Sequence, residues 1–99
     1  MAKFMVRIVL HDTETPAMYN RLNAAMAKRG FARELPGKKT SYHLPTGTYW
    51  FEGDVSPADL RATAALAAEA TDQDFGIAVI RANGWSVMGL KKVESASQA

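Results

Sequence analysis

Phe4-Met5-Val6-Arg7-Ile8-Val9-Leu10, closed by His11-Asp12, is the stretch on which the fold turns. Its residues are mostly β-branched or aromatic and are bounded by polar groups, which predicts a strand. Phe4, Val6, Ile8 and Leu10 alternate onto one face without interruption, so that face is buried. Met5, Arg7, Val9 and His11 point the other way, a mixed apolar and basic set. A strand of this kind belongs in the middle of a sheet roofed by helices on one side only.

Downstream, Thr15 is a good N-cap and Pro16 a good first helical residue. The helix this predicts runs to about Arg29. Met18, Leu22, Ala25, Met26 and Arg29 recur at three- and four-residue steps as its buried stripe, and Gly30 closes it. Phe31 to Leu35 opens a second strand, which Pro36-Gly37-Lys38-Lys39 interrupts as a bulge or an excursion. Extended character resumes over Thr40 to Leu44. Pro45-Thr46-Gly47 is then the turn of a hairpin whose return, Thr48 to Gly53, is the aromatic-rich third strand.

Ser56, Pro57 and Asp59 form a capping-box start to a second helix. Its stripe is Leu60, Ala64, Ala67 and Ala68, with Leu66 beside them. Phe75 to Arg81 is a fourth strand. Asn83-Gly84 predicts a tight hairpin with positive φ at both residues, returning Trp85 to Leu90 as an edge strand guarded by Lys91 and Lys92. The order implies an α+β, ferredoxin-like βαββαβ fold with an additional C-terminal hairpin strand. Its sheet is antiparallel, with two helices on one face and the other face open. Residues 1–93 form one domain, and 94–99 are expected as a disordered tail.

At 99 residues, 47% hydrophobic and 22% charged, the chain has the composition of an ordinary globular domain. It contains no Cys, which removes disulfides, thiolate nucleophiles and zinc–thiolate sites and suits a cytoplasmic protein. No apolar run is long enough for a membrane span, and the N-terminal segment is patterned as a strand, not as a signal sequence. The net charge of +2 permits an acidic partner without demanding one. No dinucleotide or phosphate-loop fingerprint occurs, so no nucleotide cofactor is expected.

Three groups of residues could carry chemistry. Asp12 follows the first strand, where it could hold Mg²⁺ or serve acid–base work with His11, or simply accept hydrogen bonds from turn amides. A single carboxylate is a poor metal site, so no metal is assigned. Tyr42, His43 and Trp50 lie in the most aromatic segment. Beside Arg7 they could stack the bases of single-stranded RNA, or they could be core and the interface of a homodimer. Lys28, Arg29, Arg33, Lys38 and Lys39 could contact phosphates or form a solvated rim.

A resemblance covers roughly Ala2 to Val93. The run Phe4 to Asp12, Tyr19, Leu22, Met26 and Gly30-Phe31 at the helix exit, the Tyr42-His43-Leu44-Pro45 segment and the Ser56-Pro57 start together resemble the GhoS endoribonuclease antitoxin family. That family has a ferredoxin-like fold related to the small CRISPR-associated nucleases, and its named member cleaves the message of a membrane-lysing toxin peptide. The resemblance implies an RNA-directed protein of a toxin–antitoxin system. It matches Asp12 to the acid after the first strand and Arg21 to an arginine on the first helix. Asn23 stands where the characterised member has a second arginine. The alternative to an endoribonuclease is a non-catalytic homodimeric module.

Overall fold

The computed structural model describes residues 1–11, 15–37 and 40–93. Asp12, Lys38, Lys39 and the expected tail 94–99 lie outside the described residues. Strand β1 (Ala2–Leu10) is central: it pairs antiparallel with β4 (Thr48–Gly53) from Ala2↔Gly53 to Arg7↔Thr48. On its other side it pairs antiparallel with β5 (Phe75–Arg81) from Phe4↔Arg81 to Leu10↔Phe75. Ala32 and Trp50 exchange both backbone bonds at 2.8 Å, so the chain leaving the first helix touches the outer edge of β4 at one residue. This is the α+β, ferredoxin-like arrangement with both helices on one face.

Helix α1 (Pro16–Ala27) starts at Thr15, whose side chain accepts the Met18 amide hydrogen, and α2 (Pro57–Ala68) starts at Ser56, which accepts from Asp59 in the same way. The end of α1 has Phe31 N–H donating to Met26 O and Gly30 N–H to Ala27 O. That closure needs a left-handed residue, and Gly30 supplies it at φ +88°. The helices cover the Phe4, Val6, Ile8 and Leu10 side of the sheet with Leu22, Met26, Leu60, Ala64, Ala67 and Ala68. Tyr49 joins this core, and Phe51 packs at its border with its ring 5.1 Å from that of Phe31. Leu66, expected beside the stripe, is instead exposed in the described chain.

The opposite face is only half open. Strands β2 (Glu34–Pro36) and β3 (Ser41–His43) pair with each other, Glu34↔His43 to Pro36↔Ser41, as a two-stranded sheet separate from the first. Leu35 and Leu44 bury themselves there against Trp50, with Met5 and Ala82 at the margin. The expected hairpin about Pro45-Thr46-Gly47 is therefore corrected. The hairpin lies one connection earlier, between β2 and β3, where Gly37 N–H donates to Thr40 O at 2.9 Å, and 45–47 is a crossover back to the main sheet. A strand of three residues carrying Leu35 gains more by capping Trp50 than by extending the edge of β4.

The additional C-terminal hairpin strand is corrected too. Neither Asn83 nor Gly84 has positive φ, and Trp85 to Leu90 forms no strand. The segment crosses the sheet instead, stacking Trp85 edge-on against Trp50 with ring centroids 4.7 Å apart. It then runs antiparallel to β3, where His43 N–H donates to Lys91 O at 2.8 Å and Val93 N–H to Ser41 O at 2.9 Å. Burying part of an indole outweighs the local preference of Asn-Gly for a tight turn.

Candidate nucleic-acid interface

The alternation of β1 decides which side chains reach the face away from the helices. Lys3, Met5, Arg7, Val9 and His11 share it, and of these Lys3, Arg7, Val9 and His11 are exposed. Lys3, Arg7 and His11 are spaced four residues apart, or ~13 Å along the strand. Arg7 is held by its neighbour on β4, donating from Nη1 to Thr48 Oγ1 at 3.4 Å. On β5, Gly76, Ala78 and Ile80 occupy the same face opposite Val9, Arg7 and Met5. Val9 is 40% and Ile80 59% exposed, so the half of the face over β5 is uncovered and apolar around one guanidinium.

The covered half ends in an open cleft of about 590 Å³ lined by Lys3, Pro36, Gly37, Glu52, Gly84 and Trp85. Lys3 Nζ sits 5.6 Å from the ring centroid of Trp85, within cation–π range. Trp85 remains 42% exposed. An amine beside a partly exposed indole can grip a phosphate and stack a base at once.

Trp50 does not do this. It is 3% exposed, its Nε1–H donates to Glu52 Oε2 at 2.8 Å, and Trp85 covers it. The proposed stacking role of Trp50 is thus corrected to a core role. Tyr42 is half-buried and His43 exposed, both on β3 in the added layer. Arg21 is exposed on α1 and lines a groove with Lys28, Arg29, Leu66, Ala67 and Ala70. That groove belongs to the helical layer, so the sheet separates Arg21 from Arg7 and His11. Lys3 and Trp85 were missed in the sequence. The strand phase of Arg7, extended back by four residues, points to Lys3. Nothing local marks Trp85.

Arg33 is exposed elsewhere, in a second cleft of about 360 Å³ with Pro16, Tyr19, Asn20, Asn23 and Thr46. Beneath it the Tyr49 hydroxyl donates to Asn23 Oδ1 at 2.5 Å, and the Tyr19 hydroxyl accepts from the Leu10 amide at 3.3 Å. Asn23 is a structural acceptor here, a task that no arginine could perform at this position. Burial pushes the Tyr49 hydroxyl from its ordinary 10.0 up to about 12, with the Arg33 charge acting weakly the other way. The folded chain holds this proton after the unfolded chain has lost it. Stability is therefore full below pH ~10 and falls by about 2–3 kcal/mol as pH rises to ~12. Urea midpoints at pH 9 and 11.5 should show that fall, and Tyr49→Phe should flatten it.

Among the described residues no three His, Cys, Asp or Glu side chains gather as a divalent cation would need. No helix among them is long and apolar enough to cross a membrane. The chain matches no model of a known protein family and no curated protein.

Proposed function

We propose that this chain is a cytoplasmic, RNA-directed protein, as the resemblance to the GhoS endoribonuclease antitoxins implies, and that it holds single-stranded RNA on the sheet face away from its helices. One observation carries the reading. Exposed Lys3 and Arg7 stand on the sheet face away from the helices, Lys3 beside the partly exposed ring of Trp85 at the rim of its covered half and Arg7 beside apolar Val9 and Ile80 on its open half. Phosphates pair with the cations, and bases stack on the indole or lie on the apolar strip. A duplex offers no unstacked bases to such a surface.

Cleavage, within this proposal, falls to His11 at the end of β1 together with Asp12. His11 would take the proton of the ribose 2′-hydroxyl as that oxygen attacks the neighbouring phosphate; the bond from phosphorus to the 5′-oxygen of the next nucleotide breaks, leaving a 2′,3′-cyclic phosphate, and the departing oxygen takes a proton from water. Arg21, placed in the helical layer, is left out of it. The expected result is salt-sensitive binding of a short labelled single strand, measured by fluorescence anisotropy. Arg7→Glu should weaken it at least tenfold, roughly 1.4 kcal/mol, while Arg21→Glu leaves it unchanged. Equal affinity of the Arg7→Glu variant removes the reading. The same samples, run on a gel beside Asp12→Ala, separate binding from cutting.

A second reading, a homodimeric module without nuclease activity, is favoured by one specific feature, the edge of β5 that pairs with no strand among the described residues.

A further inference from the structure

Strand β5 closes one side of the sheet order β4-β1-β5. Its inner edge is paired with β1 over all seven residues, Phe75 to Arg81. Its outer edge pairs with no strand among the described residues. The strand expected to pair with that edge, Trp85 to Leu90, leaves it: Ala82 N–H still donates to Lys3 O at 2.8 Å, and Trp85 then lands on Trp50, two strands away. A seven-residue edge of Phe, Gly, Ile, Ala, Val, Ile and Arg has neither proline nor bulge to discourage pairing, and its one charge, Arg81, is exposed at the very end of the strand.

We infer that the occupant of this edge is a second copy of the chain, with β5 pairing antiparallel to its own copy about a two-fold axis through Ala78. The two three-stranded sheets then become one of six strands. An axis perpendicular to the sheet keeps all four helices on the same side, so both open faces remain together.

The register follows from the residues. Ala78 is the midpoint of Phe75–Arg81, so centring the axis there pairs every residue of the strand. Ile80, 59% exposed in the single chain, then lies opposite Gly76, which has no side chain. Ile77 lies opposite Val79 on the helical side, where both already border the core. Ala78 faces itself. Moving the centre by one residue in either direction is worse. About Ile77, Ile80 meets Asp74; about Val79, Ile77 meets Arg81. The strand ends are also complementary. Arg81 is exposed at one end and Asp72 and Asp74 at the other, and antiparallel pairing brings Arg81 alongside the second copy's acidic turn. The pairing does not depend on RNA, and its test uses none.

The chain has no Cys, so a single introduced thiol reports the register. Directly opposed residues in an antiparallel pair have Cα atoms about 4.5–5.5 Å apart, inside the range of a disulfide. Sedimentation equilibrium of the full chain should give twice the 10.8 kDa chain mass. Under mild oxidant Ala78→Cys should form a covalent dimer. Gly76→Cys and Ile80→Cys should do so only when mixed with each other, since each faces the other position and not itself. Ile80→Lys should shift the natural chain to the monomer with unchanged circular dichroism. A monomer at every concentration overturns the inference. So does a dimer in which Ala78→Cys fails to cross-link while remaining folded, because the pairing is then elsewhere.

Discussion

Trp50→Ala should lower the stability of the chain by about 3–5 kcal/mol, the range for emptying a buried aromatic site. The ring fills the small core beneath β2 and β3 with Leu35 and Leu44 and supports Trp85 from below. Its loss leaves Glu52 without the indole donor and Trp85 without a seat. The hairpin 34–43 and the crossing segment 83–93 then lose their shared anchor. A total stability of about 5–15 kcal/mol makes such a loss large. Urea unfolding measures it, and the emission of the remaining Trp85 should shift to the red in the folded variant as water reaches it. Trp50→Phe keeps most of the packing and should cost about half as much. A change under about 1 kcal/mol for Trp50→Ala would mean that the second core does not form.

The second large effect belongs to Gly47→Ala. Gly47 has φ +82°, a left-handed backbone that costs an L-residue about 1–2 kcal/mol. Its added Cβ would also stand 2.6 Å from the Ile8 carbonyl oxygen, a backbone atom of the central strand that has no room to turn aside. Relief requires moving the 45–47 crossover outward. That stretches the bond from Ile8 N–H to Gly47 O, now 2.7 Å, and the ring of Tyr19 already lies 3.4 Å from the added Cβ. Strain and the weakened hydrogen bond together should cost about 3 kcal/mol. Gly84→Ala is the control. Nothing lies within 4 Å of its added Cβ and its φ is ordinary, so thermal unfolding should barely change.

What could be read in the sequence divides along a physical line. The buried alternation of Phe4 to Leu10, the caps at Thr15 and Ser56 and the left-handed Gly30 were all legible, because each is decided within a few residues. They suffice for the helical layer and for the phase that puts Arg7 outward. The added layer was not legible. Pro36-Gly37 looks like damage to a long strand, and only the burial of Leu35 against Trp50, fifteen positions on, reveals it as the approach to a hairpin turn. Asn83-Gly84 misleads for the same reason: a strong local preference yields to a distant ring. Tyr49 and Trp50 could not be sorted between inner and outer faces, since both are buried, one in each core. The candidate site inherits this split. Arg7 and His11 follow from strand phase. Trp85 replaces Trp50 as the available indole, and Arg21 falls on the wrong layer.

The claim on which the functional account rests is that the sheet face away from the helices receives the RNA. Titrating isotope-labelled protein with a short single strand and following each amide by nuclear magnetic resonance tests it most directly. The account predicts shifts at Lys3, Arg7, Val9, Ala78 and the Trp85 indole, with the helical layer quiet. Shifts confined to Arg21, Lys28 and Arg29, in the groove between the helices, would contradict it.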